Sequence, residues 1–209
     1  MSKVKVIYEE GKIKIAHVAD DANLQDLLDA WQPLCDDEEV AKIYAEQNNI
    51  CKGCKINCCN TAYVIPDIIS FKKIKAYLGI SYEEFVHKYF QREKRELGIL
   101  RLKPDPCIFL KENICTIYPL RTLLCRFYLC SEIEGKTEEL IYKITWTGIA
   151  ATQVFAQKNN LLVGVKDGGL SSFDLLFKKN IAEYCLAPNV ELFLQASEYR
   201  DVPLRKFWF

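Results

Sequence analysis

Four cysteines fall within nine residues in CKGCKINCC, positions 51 to 59. A looser group follows: Cys107, Cys115, Cys125 and Cys130, spaced by seven, nine and four residues. A thiolate is a nucleophile, a redox group and a soft metal ligand. The Cys51-x2-Cys54 pair lets two thiolates grip one metal from a tight turn, and Gly53 relieves the backbone inside it. Neighbouring side chains point apart in extended backbone, so Cys58 and Cys59 do not both complete an ordinary one-metal site. Either one ligates while the other packs, or the pair bridges two metals. Two blocks joined by a pair of helices can close a thiolate shell, with eight thiols for two four-coordinate sites or a polynuclear cluster.

Three familiar templates do not fit. Radical S-adenosylmethionine enzymes use C-x3-C-x2-C, and this chain has the reverse order. The bacterial ferredoxin run needs C-x2-C-x2-C-x3-C-P, whereas Cys58 comes one residue late and Asn60 follows the double cysteine. A redox dithiol of thioredoxin type needs a βαβ unit, which the pattern lacks.

Thiols stay reduced in the cytosol, so the compartment bears on their use. The N-terminus MSKVKVIYEEGKIKIAHV alternates charged and apolar residues and lacks the apolar run of a signal peptide. ITWTGIAATQVFA (144–156) falls short of the ~20 apolar residues of a spanning helix. A cytoplasmic location is therefore expected, and with it metal ligation rather than disulfides. Lys plus Arg total 28 and Asp plus Glu total 28, a neutral balance that argues against nucleic-acid and membrane partners. Lys72, Lys73, Lys75, Lys88, Arg92, Lys94 and Arg95 form a basic stretch, but Glu83, Glu84, Glu93 and Glu96 dilute it to solvated helix faces. Glycines 164, 168 and 169 lack phosphate-loop spacing.

The elements that must position the thiols read as α+β, mainly helical, in one domain over residues 1–209, with the cysteine-cluster region at about 50–130. VKVIYEE and GKIKIAHV alternate as two strands around a turn. Leu24, Leu27, Leu28 and Trp31 share a helix face that Pro33 interrupts, and a second helix is expected from Asp36 or Asp37 with Val40, Ile43 and Tyr44 inward. AYVIP (62–66) reads as extended, Pro66 opens a helix stopped by Gly79, and Ser81 caps a helix over 81–94. LGILRLKP (97–104) reads as a strand, and CIFLKENICTIYP (107–119) as a hairpin turning at Glu112 and Asn113. Two longer helices follow, over 138–158 and 171–187, the latter capped by Ser171 or Ser172. The last residues, 189–209, read as helix then extended chain, with Phe207, Trp208 and Phe209 either docking back or meeting a partner.

CKGCKINCC together with CIFLKENICTIYPLRTLLCR (107–126) resembles the YkgJ-type cysteine-cluster proteins, described as zinc- or iron-chelating domains. The resemblance covers about residues 50–130. It implies Cys51, Cys54, Cys58, Cys59, Cys107, Cys115 and Cys125 as metal ligands, with Tyr118, Arg121 and Arg126 at accessory positions. Thr122 stands where that family usually has proline, and Cys130 lies beyond the pattern. Flagellin lysine-methylating proteins carry a similar block, which by analogy implies an enzyme reading.

Arg121 and Arg126 flank Cys125 and can donate N–H groups to sulfur around a cofactor, or serve as surface ion pairs. Tyr118 can cover the site or belong to the core. Cys35 and Cys185 sit on apolar helix faces as packing residues, and His17 and His87 lack ligand spacing. Excess thiols, the vicinal pair and the arginines favour an iron–sulfur cluster over zinc, with redox or electron-transfer work for an unknown protein or redox partner. The alternative is a structural zinc module of a binding or adaptor protein.

Overall fold

The computed structural model describes residues 2–37, 40, 58–60, 62–129, 131–162 and 169–208. Strands β1 (Val4–Glu9) and β2 (Lys12–Val18) pair antiparallel, from Val4 opposite Val18 to Glu9 opposite Lys12. Glu10 and Gly11 turn between them at φ 52° and 78°, the positive pair that a two-residue hairpin of matching twist requires. A short third strand, β5 (Glu132–Ile133), joins β2 in parallel, giving the order β1-β2-β5.

Helix α1 (Leu24–Cys35) starts on a reciprocal cap between Asn23 and Asp26 and buries Leu24, Leu27, Leu28, Trp31 and Cys35. Pro33 lies inside it and does not interrupt it. Proline lacks the N–H that would bond the Asp29 carbonyl, a loss that the buried face of α1 offsets. The helix expected from Asp36 or Asp37 falls almost wholly outside the described residues, as do Ile43 and Tyr44; Asp37 Oδ1 accepts the Val40 N–H at 3.4 Å.

Helix α2 (Ile68–Leu78) is capped by Asp67 and stopped by Gly79 at φ 66°, the left-handed conformation that suits glycine. The helix expected over 81–94 divides into α3 (Tyr82–Tyr89), capped by Ser81, and α4 (Arg92–Glu96). Phe90 breaks it with extended backbone, which buries its ring completely between Phe71 and Phe85 at 5.8 and 5.1 Å. Residues 97–104 do not form the expected strand. Gly98 turns at φ 77°, the Ile99 N–H bonds back to Lys94 O, and a single bridge joins Leu102 to Phe90. The apolar run is real but packs inward as an irregular segment, with Ile99 and Leu100 fully buried.

Strands β3 (Leu110–Lys111) and β4 (Ile114–Cys115) make the expected hairpin, with Glu112 and Asn113 at φ 52° and 60°. Helix α5 (Leu123–Phe127) follows, then α6 (Gly135–Lys158), α7 (Ser172–Tyr184) on a Ser171–Asp174 capping box, and α8 (Asn189–Gln195). At ~1.5 Å rise per residue, α6 is the longest rod of the fold, and α2, α5, α7 and α8 all pack on it. The tail is not extended. Two short 3-10 turns, at Tyr199–Asp201 and Leu204–Lys206, bring buried Phe207 against Phe193, while Trp208 stays half exposed. The described elements share one hydrophobic core, and none of their helices is long and apolar enough to cross a membrane.

Two buried carboxylates tie these parts together. Asp67 accepts from the Ser70 N–H at 3.0 Å, the Ser70 hydroxyl at 2.8 Å, the Leu123 N–H at 2.9 Å and the Tyr199 hydroxyl at 3.1 Å. It thereby joins α2, the first residue of α5 and the C-terminal turn. Gly148 of α6 lies against it: a Cβ there would meet Asp67 Cβ at 2.7 Å and Phe193 Cε1 at 3.1 Å. Asp174 accepts from Lys94 Nζ at 2.6 Å, the Tyr63 hydroxyl at 2.8 Å and the Ser171 hydroxyl at 2.6 Å. Burial pushes its carboxyl pKa up, and the hydrogen bonds from Lys94, Ser171 and Tyr63 outweigh that and hold it well below the usual carboxylate range.

Gly148→Ala should lower stability by about 1–3 kcal/mol, read as a fall in the urea midpoint, because neither neighbour is a flexible side-chain end. A variant as stable as the parent would show that α6 does not press on Asp67. For Asp174 the sign is that of a depressed folded pKa: its stabilisation is present above the unfolded value of about 4 and is lost as pH falls below it. The stability gap between parent and Asp174→Asn should therefore be wide at pH 6 and narrow steadily below about pH 4. A gap independent of pH would refute the charged assignment.

Candidate metal centre

Five of the seven expected ligands meet at one place. Cys58, Cys59, Cys107, Cys115 and Cys125 line a single cavity of about 90 Å³. Cys51 and Cys54 lie outside the described residues, as does Cys130. Among the described residues no three thiol, imidazole or carboxylate groups are gathered tightly enough to hold an ion unaided. The five sulfurs stand around the cavity wall rather than at one point within it.

Local structure explains each position. Cys58 and Cys59 sit in a short 3-10 turn, and the Cys59 carbonyl accepts the Cys107 N–H at 2.8 Å, which docks the first block on the second. Cys107 leads into the β3–β4 hairpin, and Cys115 closes it opposite Leu110. Backbone N–H groups two residues on point at these sulfurs, Phe109 to Cys107 and Ile117 to Cys115. Cys125 stands in the first turn of α5, where the Thr122 side chain caps its N–H at 3.3 Å. Thr122 has φ −64° and ψ 159°, a backbone that proline also adopts, so threonine keeps the turn and adds a side-chain cap.

Apolar groups supply most of the remaining wall, among them Val64, Leu102, Phe109 and Ile117. They set the electrostatics. Burial pushes the Cys107 thiol up to about 11 and the Cys125 thiol up to about 12, and raises Cys115 as well. Cys59 goes the other way, down to about 7, chiefly through a hydrogen bond with Cys58 and then through the Arg121 charge. Cys59 is thus shifted toward the thiolate, while Cys107, Cys115 and Cys125 favour the neutral thiol unless a cation holds them as thiolates.

Arg121 lines the cavity and is 7% exposed. Its Nε donates to the Tyr118 carbonyl at 3.1 Å and its Nη2 to Gln32 at 3.0 Å, while the guanidinium lies 3.7 Å from the Tyr118 ring centre. Gln32 and the Tyr118 hydroxyl both donate to Asp36, at 3.2 and 2.9 Å, closing a ring of bonds onto the end of α1. Among the described residues no carboxylate pairs directly with Arg121, so its charge is left to the sulfurs. Tyr118 is half-buried at the cavity wall rather than a core residue. Arg126 does not line the cavity; its guanidinium lies 5.7 Å from the Tyr199 ring.

Cys35 is buried with its thiol against the Arg126 carbonyl, and Cys185 is half-buried near Ala150 O; neither lines the cavity. His17 and His87 are exposed. Sequence reasoning read Asp36 only as a possible helix start and did not single out Gln32 or the apolar wall, since the contact from Gln32 to Arg121 spans 89 residues. Asp67 carried a local signal, an acidic residue between Pro66 and a helical run, which marks a cap but not its reach to Leu123.

Soft, thiol-only donors with N–H groups and a cation aimed at them fit a zinc or iron centre. The model of the CxxCxxCC family, described as "Putative zinc- or iron-chelating domain", matches residues 50–158. Within the first block this chain has three residues between Cys54 and Cys58, where the family name has two. No solved structure matches the chain. The converging thiols and the family match lead to one assignment: the chain belongs to the CxxCxxCC family of zinc- or iron-chelating domains.

Proposed function

We propose that the protein holds an iron–sulfur cluster and passes single electrons to a redox partner. The carrying observation is the thiol count at one cavity. Five cysteines line it, and Cys51 and Cys54 lie within eight residues of Cys59 in the chain. A structural zinc takes four ligands. The cavity, about 90 Å³, is also several times the ~10–15 Å³ that a single water-sized guest needs. Cys107, Cys115 and Cys125 would hold the cluster from the hairpin and α5, with the 51–59 block completing the shell. When bound, such a cluster supplies a one-electron couple. The chain's own residues exclude water with Val64, Leu102, Phe109 and Ile117, and offset thiolate charge with Arg121 and the Phe109 and Ile117 N–H groups.

A second reading is a structural zinc. It is favoured by the way the thiols come from three separate pieces, the 58–60 turn, the hairpin and α5, which one metal would staple.

Anaerobically purified protein should contain iron and acid-labile sulfide and absorb in the visible. Cys107→Ser and Cys125→Ser should each lose most of the metal and colour, whereas Cys185→Ser should keep both. Stoichiometric zinc with no sulfide would overturn the cluster and leave the staple. Arg121→Met tests the electronic role: removing a nearby cation disfavours the more negative reduced state, so the reduction potential should fall. An unchanged potential at full cluster content would remove Arg121 from that role.

A further inference from the structure

Beside the thiol cavity lies a larger cleft of about 690 Å³, walled by α5, one face of α6 and α7. None of the five thiols of that cavity lines it. Tyr128 stands in the wall of both cavities, and Leu124, next to Cys125, lines the cleft. Its volume falls in the ~300–1,000 Å³ range of small-molecule sites. The walls are aromatic: Trp146 packs on Phe177 at 5.4 Å, and Tyr63 on Phe173 at 4.5 Å. Phe173 and Leu176 are 52% and 53% exposed at this cleft, an apolar area that α7 leaves in water.

Among the described residues lining the cleft, one buried polar side-chain atom lacks a hydrogen-bond partner. Tyr63 donates to Asp174, and Tyr142 accepts from Asn180 at 3.0 Å. Helix α6 carries four threonines. Thr137 accepts the Ile15 N–H, Thr147 donates to Lys143 O, and Thr152 donates to Pro66 O. Thr145 lines the cleft, is 5% exposed, and its hydroxyl has no hydrogen-bond partner among the described residues. A buried hydroxyl left unpaired is destabilising, and a guest that shifts the side chains covering this one gains it as a partner. The guest's charge is also constrained. No Lys or Arg is among the described lining residues, and Glu138 stands there together with Glu132, the latter paired with Lys12 at 2.9 Å, which disfavours carboxylates and phosphates.

We propose that this cleft binds a neutral aromatic small molecule bearing one hydroxyl or carbonyl, its ring among Tyr63, Trp146 and Phe177 and its oxygen on the Thr145 hydroxyl. The site does not depend on which metal the thiols hold. Binding of 2-naphthol and of naphthalene to the metal-loaded full-length protein, followed by tryptophan fluorescence, tests it. Both should bind saturably, one per chain, with 2-naphthol the tighter. Thr145→Val should weaken 2-naphthol by about two- to tenfold and leave naphthalene unchanged, the factor expected for one hydrogen bond. Thr145→Ser should retain 2-naphthol binding. Leu176→Glu, at an exposed position, should weaken both probes. Absence of saturable binding, indifference to Thr145→Val, or indifference to Leu176→Glu would each overturn the proposal. So would sedimentation as a dimer that Leu176→Glu dissociates, since a second copy would then cover the cleft.

Discussion

The thiol cavity depends on the carboxylate of Asp67, which lies outside it. This group is 1% exposed and accepts hydrogen bonds from three parts of the chain. A buried carboxylate is tolerated only where donors surround it, so its position fixes theirs. It caps α2, takes the Leu123 N–H that opens α5, and meets Tyr199 from the C-terminal turn. Two residues past Leu123 stands Cys125. The direction of α5, and with it one wall of the metal centre, follows from a bond made by Asp67. Gly148 lets α6 approach this point where any side chain would collide.

The thiol cavity shows the opposite balance. Its apolar wall disfavours the charged form that the thiols need in order to ligate, which is why Cys107, Cys115 and Cys125 are raised. The protein supplies partial compensation: N–H groups from Phe109 and Ile117, the Cys58 partner of Cys59, and the charge of Arg121. Arg121 is held by neutral acceptors, Gln32 and the Tyr118 carbonyl. A carboxylate bound directly to it would have cancelled the charge the sulfurs receive. A metal bound here would complete what these groups begin, and would link metal loading to the stability of the 58–60 turn, the hairpin and α5.

Short-range signals are legible in the amino-acid sequence. The Glu112–Asn113 turn, the Ser81 and Ser171 caps and the Gly79 stop all depend on residues within four positions, and the fold keeps each of them. Where the fold departs from the local pattern, the cause lies in tertiary packing. Phe90 sits in a helical pattern yet turns extended, because burying its ring against Phe71 and Phe85 outweighs one more turn of helix. Residues 97–104 have strand composition, but among the described residues no partner strand runs beside them, only a single bridge to Phe90 and one bond from the Leu102 N–H to the Val64 carbonyl. Pro33 costs α1 one hydrogen bond, which the burial of Leu24, Leu27, Leu28, Trp31 and Cys35 offsets. The reach of Asp67 to Leu123 spans 56 residues, which no window along the chain can show.

Helix α5 gathers these constraints into five residues and the two that flank them. Thr122 caps it, Leu123 hangs from Asp67, and Cys125 faces the thiols. Leu124 and Phe127 turn to the aromatic cleft, Phe127 also meeting Trp31 edge-on at 5.5 Å, and Tyr128 touches both cavities. A helix this short has almost no stability of its own, so its conformation is dictated by what its side chains bury. Metal at Cys125 and a ring against Leu124 would act on the same few backbone bonds. If both guests prefer the present conformation of α5, each lowers the ordering cost the other meets, and thermodynamic reciprocity requires the effect to run equally in both directions.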